Sequence, residues 1–371
     1  MCETEWDRLR DISAQLQGNA VAGYDPSEPS STYGKYLQNF KLWSRHCTRF
    51  NLPIWLDQVS AEERNEVILS FAASCHSEGQ NPGKKGNLYG TFRGKMSAVQ
   101  HMHLLQRHFV LDMATPVLKL ATKGYQRLSP PSEQKEPVSR AMLRQLGHFA
   151  EHKNGLGSQH VRRILNGSSI LAFFLLDRRG EMWAQNGRPN PNVDRHLLRF
   201  ESIIITDLYM RVLSYPYGNA HSVTVRFGST KPDQRGVRKS VIYLFKTLDE
   251  WFCPVLQCVA IFTARHALVQ LNGPVGPYLT SISPSMTICG RTVAGLLKDS
   301  ATALGLSASS YSLHSLRIGG ACALLAAGYG PEVIKLMGRW ASWCFTIYLR
   351  VEPDTFRDVA RKIAQAYKEA N

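Results

Sequence analysis

Apolar residues in the first third of the chain recur at helical steps. Tyr33, Tyr36, Phe40, Trp43, Cys47 and Phe50 are spaced by threes and fours, building one stripe on a helix that Pro53 ends. Ser60 opens the next helix, with Glu63 three residues on in a capping-box arrangement and Val67, Phe71 and Cys75 on the buried face. The stretch HSEGQNPGKKG is too rich in Gly and Pro for regular structure. Phe92, Met96, Val99 and Leu104 then mark a third helix to Gln106. Thr115 and Pro116 supply the N-cap and first position of a fourth, to about Tyr125. A short helix through Trp6, Leu9, Ile12 and Leu16 precedes them, broken by the Gly/Pro/Ser-rich residues 18 to 31.

The Pro-rich, charged stretch LSPPSEQKEP, residues 128 to 137, predicts a linker between two domains, 1–132 and 133–371. Beyond it the period changes. Ser139 caps a helix using Met142, Leu143 and Leu146, and Val161 to Leu176 form a helix with an unbroken apolar end leading to Arg178. Three strand-like segments follow, at 202–206, 222–228 and 240–245. In the second, Val223, Val225 and Phe227 alternate with Ser222, Thr224 and Arg226, the period of a half-buried strand. Helices return over 254–271, 292–304 and the segment from His314. Gly328 and Gly330 break that last one, and Pro331 starts another reaching Met337. A terminal helix over 353–368 buries Phe356, Val359, Ile363 and Tyr367 on one face. The expected fold class is mainly α with a small antiparallel β-sheet: an all-α N-terminal domain, then an α+β domain.

A chain of 371 residues with 44% hydrophobic content can build two cores. Its net charge of +15 suits a polyanion, and the excess is uneven: +12 of it lies beyond residue 135. The eight cysteines include no CxxC pair and read as reduced core residues, and His46, His101 and His103 complete no metal pattern. The start, MCETEWDRLRD, has no apolar core of a signal peptide. No run approaches the ~20 apolar residues of a membrane span, so a soluble, intracellular protein without a membrane partner is expected. Lys84, Lys85, Arg93 and Lys95 cluster at a loop and the start of the following helix, as DNA-backbone contacts would; an ordinary solvated face accounts for them equally well. The aromatic stripe at 33–50 could stack bases, but its helical period favours core packing.

The chemistry concentrates between Ser312 and Arg350, SLHSLRIGGACALLAAGYGPEVIKLMGRWASWCFTIYLR. His314 and Arg317, three apart on a helix, share one face and converge on one point. Trp340 follows in a GRW triplet, and Tyr348 eight residues later. Upstream, Arg178 ends the apolar run with Glu181 three residues on, and Lys231 occupies a polar turn between two strands. Arg179 adjoins Arg178, and only the spacing to Glu181 favours the first. Arg226, Arg235, Arg238 and Lys239 lie on the same hairpin as Lys231, whose place in the turn decides the choice.

This ordered series resembles the catalytic domain of the tyrosine recombinases, the phage-integrase family. HSLRIGGA and GRW…YLR are closest to the branch carried by Crypton and DIRS-like mobile elements. The resemblance implies a SAM-like core-binding domain before an α+β catalytic domain. It implies strand transfer through a 3′-phosphotyrosine link, with Tyr348 as nucleophile. A phenol with a pKa near ~10 needs help to attack at neutral pH. Arg178 and Arg317 would bind the phosphate as planar forks, His314 would donate to it or take the phenol proton, and Trp340 would offer its indole N–H. Lys231 would protonate the leaving 5′ oxygen, and Glu181 would orient an arginine. Arg339 reads as a DNA-backbone or surface contact. No cofactor, metal or ATP is implied. The expected partner is double-stranded DNA, with self-association into a tetramer on it and a nuclear location, otherwise cytoplasmic. Two other functions compete: a domesticated, catalytically silent DNA-binding protein, and a type IB topoisomerase-like enzyme.

Overall fold

The computed structural model describes residues 32–79, 83, 85–131, 134–190, 194–228 and 240–349, without the side chains of Thr32 and Tyr348. The helices expected over 1–16 and 353–368, and Lys84, Lys231, Arg235, Arg238 and Lys239, lie outside the described residues. The chain divides into two compact units, Met1–Ser132 and Glu133–Asn371.

The first unit holds four helices: α1 (Thr32–Arg49), α2 (Ala61–Ser77), α3 (Tyr89–Arg107) and α4 (Pro116–Leu128). Their starts follow the expected chemistry. Ser60 Oγ accepts from the Glu63 amide at 3.1 Å, and Thr115 Oγ1 from the Leu118 amide at 3.3 Å. Such caps contribute about 1 kcal/mol each. Trp43, Phe71, Phe92 and Tyr125 fill the core with Cys47 and Cys75. The two ends of the predicted stripes differ: Phe50 and Leu104 are exposed. His103 takes the inner place beside Leu104. Its Nδ1–H donates to Val99 O at 2.8 Å, and its Nε2 accepts from the Leu56 amide at 3.0 Å, so both ring nitrogens are satisfied inside the core.

Lys95 corrects another expectation. It is buried, and its ammonium donates to Gly79 O at 3.1 Å and Asn87 Oδ1 at 2.6 Å. It therefore pins the two ends of the Gly/Pro-rich loop instead of facing a DNA backbone, and burial pushes its pKa down. Lys85 and Arg93 are exposed.

The second unit carries α5 (Arg140–His152), α6 (Gln159–Phe174), α7 (Arg179–Met182), α8 (Pro254–Asn272), α9 (Gly290–Ala303), α10 (Leu313–Ala326) and α11 (Pro331–Met337), closing on a 3-10 helix at Trp343–Tyr348. Strands β1 (Ile203–Thr206), β2 (Ser222–Phe227) and β3 (Ser240–Phe245) form an antiparallel sheet in that order. Val223 faces Ile205 and Leu244, and Val225 faces Ile203 and Ile242, so the inward residues of all three strands share one face in the core. Helices α6 and α8 pack closely at Gly167, where a Cβ would lie 2.9 Å from Ile261 Cγ1. By length and composition α8 could cross a membrane, against the sequence expectation; half of it is buried in this core.

A second hairpin, β4 (Ser281–Ser283) with β5 (Met286–Thr287), is absent from the sequence reading. Strands of two and three residues carry too little alternation to detect. Buried Arg265 on α8 organises the approach to it, donating to the carbonyls of Gly276 at 2.9 Å and Ser281 at 3.1 Å.

Candidate functional site

Helix α6 ends where the site begins. Leu175 caps it, and Leu176 turns left-handed at φ 48°, a conformation costing a non-glycine residue roughly 1–2 kcal/mol. That turn sends the last carbonyls of α6 outward, where a helix C-terminus favours cations. Two arginines from distant segments meet them. Arg317 donates Nη1–H to Leu176 O and Nη2–H to Gly338 O at 2.5 Å, while Arg339 donates Nη1–H to Leu175 O at 2.8 Å.

Helix α10 can bring Arg317 there because of the glycines after it. A Cβ on Gly320 would lie 2.3 Å from Phe173 O, and one on Gly319 equally close to Val138 O. Gly320 therefore lets α10 touch the backbone at the end of α6, and Gly319 the segment leading into α5. The GRW triplet has a similar logic. The Trp340 ring lies so close over Gly338 that a Cβ there would meet ring carbons at 1.6 Å, and Arg339 between them is left-handed, φ 54°. The ring then packs against Leu176, Ala321, Ile334 and Phe345 and carries the Arg317 guanidinium on its face, 3.9 Å from the centroid.

Arg178 sits at the N-cap of α7, and Glu181 one turn on reaches back to it. The carboxylate accepts from the Arg178 amide at 3.0 Å and from its Nη1–H at 2.7 Å, and from Arg339 Nη2–H at 2.6 Å. Arg178 Nη2–H donates to Arg339 O at 3.2 Å. Of the two neighbouring arginines, Arg178 joins Glu181, whereas Arg179 is exposed and lines a cavity of about 320 Å³ with Arg291 and His314. Asp177, missed in the sequence reading, is fully buried and accepts from Arg339 Nη2–H at 2.8 Å. A single acid beside an apolar run gives no sign of burial until its partner, 162 residues away, is in place.

Charges in the cluster act on one another. Burial opposes ionisation of Glu181, but the adjacent Arg339 and Arg178 outweigh it and hold the carboxyl at about 2. Asp177 shares Arg339 with it; burial and then the neighbouring Glu181 push its pKa up, against the pull of Arg339. Burial, then Arg178 and Arg339, push Arg317 down to about 9, still charged at neutral pH. His314 is lowered by burial, then by Arg317 and Arg178, so its imidazole is neutral at pH 7.

The structure thus gathers Arg178, Glu181, Arg317 and Trp340 into one cluster, with His314 within electrostatic reach of both arginines. Three expectations change. Arg339 is no surface or DNA contact: its side chain is 3% exposed and held by Asp177 and Glu181. Arg317 is 1% exposed and its donors face carbonyls, so it is not an open phosphate fork in this conformation. Trp340, 8% exposed, is a platform under Arg317 instead of an open donor. Arg178 keeps 23% of its side chain exposed. Lys231 lies outside the described residues. The backbone of Tyr348 ends the 3-10 helix that buried Phe345 anchors, and its side chain is not among those described.

A larger hollow, about 640 Å³, contains His148, His152, Lys153 and Asp299 and shares no residue with this cluster. Among the described residues no group of three His, Cys, Asp or Glu side chains is placed to hold a metal.

No protein-family model matches the chain, and no curated protein matches it. Solved structures do. The XerH site-specific recombinase, bound to a palindromic difH substrate in a post-cleavage complex, is 14% identical over 89% of this chain and 78% of that one, with a TM-score of 0.50. Its pre-cleavage complex on difH gives 12% identity at the same score and coverage. A lambda integrase dimer bound to a COC′ core site is 13% identical over 85% of this chain and 87% of that one, at 0.46. Mainly helical, with a three-stranded antiparallel sheet and a two-stranded hairpin among the described residues, the chain has the tyrosine recombinase fold.

Proposed function

We propose that this protein is a site-specific DNA recombinase that cuts and rejoins strands through a 3′-phosphotyrosine intermediate. On its GRW…YLR and HSLRIGGA motifs we assign it to the Crypton and DIRS-like branch, acting on a mobile element. The observation that carries the reading is the charge balance of the cluster. Three guanidiniums, of Arg178, Arg317 and Arg339, stand against the carboxyls of Asp177 and Glu181, which leaves at least one positive charge beside the partly open Arg178. One phosphodiester supplies the missing negative charge. The net charge of +15 suits duplex DNA as the partner.

In the proposed reaction the Tyr348 oxygen attacks phosphorus and forms a P–O bond while the bond to the 5′ oxygen breaks. The phenol proton passes to neutral His314, and Lys231 protonates the departing 5′ oxygen. Arg178 holds the non-bridging oxygens, whose negative charge grows in the transition state. Arg317 contributes its field from below and braces the 338–340 turn; direct contact with the phosphate requires its bonds to Leu176 and Gly338 to open. The tyrosyl ester conserves the bond energy, so a second strand's 5′-hydroxyl reverses the step without ATP.

A DNA-binding protein that no longer cuts is the second reading, favoured by the engagement of Arg317 with main-chain carbonyls. The test uses DNA selected by the protein from a randomised duplex library, rebuilt as a nicked suicide substrate. A band resisting denaturation, present for wild type and missing for Tyr348→Phe, is the expected result. Tight binding with no such band supports the second reading.

A further inference from the structure

We propose that Arg339 is a positioning residue that aims the Arg178 guanidinium at the scissile phosphate, a role that rests on the strand-transfer reading above. Its side chain is buried, 3% exposed. It holds four acceptors at once: Leu175 O at 2.8 Å, Met337 O at 3.2 Å, Asp177 Oδ1 at 2.8 Å and Glu181 Oε2 at 2.6 Å. Only a planar fork with separated nitrogens spans that set, because a lysine ammonium is a single point.

Arg178 is gripped by Arg339 in two ways. One Nη–H donates to the Arg339 carbonyl, which the left-handed turn at φ 54° aims toward it. The other donates to Glu181, whose second oxygen is fixed by Arg339 Nη2–H. Arg178 thus loses freedom at both ends through one residue. The guanidinium of Arg339 also lies 3.8 Å from the Phe227 ring centroid, at the last position of β2 and four residues before Lys231. One side chain therefore ties together α7, the GRW turn and the end of the strand leading to the proposed general acid. Nothing of this is visible in the triplet itself, where an arginine between glycine and tryptophan reads as a surface charge.

Single-turnover cleavage of the suicide duplex at saturating DNA tests it through a double-mutant cycle. Arg339→Lys is expected to slow cleavage about 100-fold, the effect of a roughly 1 Å misplacement, while DNA affinity changes less than about 2-fold. In an Arg178→Ala background the same substitution is expected to add almost nothing. Full multiplication of the two losses, or a loss of affinity in place of rate, overturns the proposal. Where Arg339→Lys fails to fold, Asp177→Ala takes its place, removing one of the four acceptors that hold Arg339.

A second readout needs no cleavage. In 15N-arginine spectra the paired Nη groups of Arg178, identified by their loss in Arg178→Lys, are expected to show hindered rotation in wild type and free rotation in Arg339→Lys. Unchanged rotation overturns the positioning role, whereas wild type without any covalent adduct but with this NMR change overturns only the strand-transfer reading.

Discussion

Asp177 and Glu181 accept from the same nitrogen of Arg339, yet they are driven in opposite directions. Glu181 has Arg178 as a second cation and stays ionised; Asp177, fully buried beside it, holds its proton. An unfolded aspartate loses that proton near pH ~4. Between there and the raised value of the folded group the unfolded chain binds fewer protons, so stability falls as pH rises. Glu181, shifted downward, is flat above pH 5 and loses its contribution only as pH falls through its lowered value. Thermal unfolding from pH 5 to 8 is therefore expected to show wild type declining relative to Asp177→Asn; parallel curves would refute the assignment. The same residues mark the limit of what a sequence discloses. Arg178 with Glu181 three positions on was readable as a pair, because both sit in one turn. Asp177 and Arg339 were not, since burial of a charge is decided by partners far away in the chain.

Helices and their starts were readable for a related reason. Ser60, Thr115 and Ser139 cap through amides three residues on, a purely local interaction. What misled were positions where local period and tertiary packing disagree: Leu104 is outside and His103 inside, and Lys95, placed on a basic face, is drawn in by Gly79 and Asn87. Glycines separate the same way. Gly320 touches the carbonyl of Phe173, whereas a Cβ on Gly124 in α4 meets nothing within 4 Å. Gly320→Ala is expected to destabilise the second unit by about 1–3 kcal/mol through overpacking. Gly124→Ala is expected to stabilise its helix by roughly 1 kcal/mol. Chemical denaturation of each variant measures both, and equal signs for the two would contradict the packing described here.

At the scale of the whole molecule, the DNA binding proposed for a chain of net charge +15 would rest on phosphate contacts. Of the three lysines and one arginine singled out near α3, Lys85 and Arg93 are exposed and Lys95 is buried. Arg93→Ala is expected to reduce the slope of log affinity against log salt by about 1, as one phosphate contact does. Lys95→Ala is expected to leave that slope unchanged while destabilising the first unit by about 1–3 kcal/mol, because it leaves buried acceptors unpaired. The reverse pattern in a salt titration would restore Lys95 as a DNA contact. The central claim concerns the bond between protein and DNA, and mass spectrometry of the trapped adduct tests it most directly. After nuclease and trypsin digestion, a 3′-linked nucleotide on the peptide containing Tyr348 is the predicted result; attachment at another residue, or no attached nucleotide on DNA that the protein binds tightly, would contradict it.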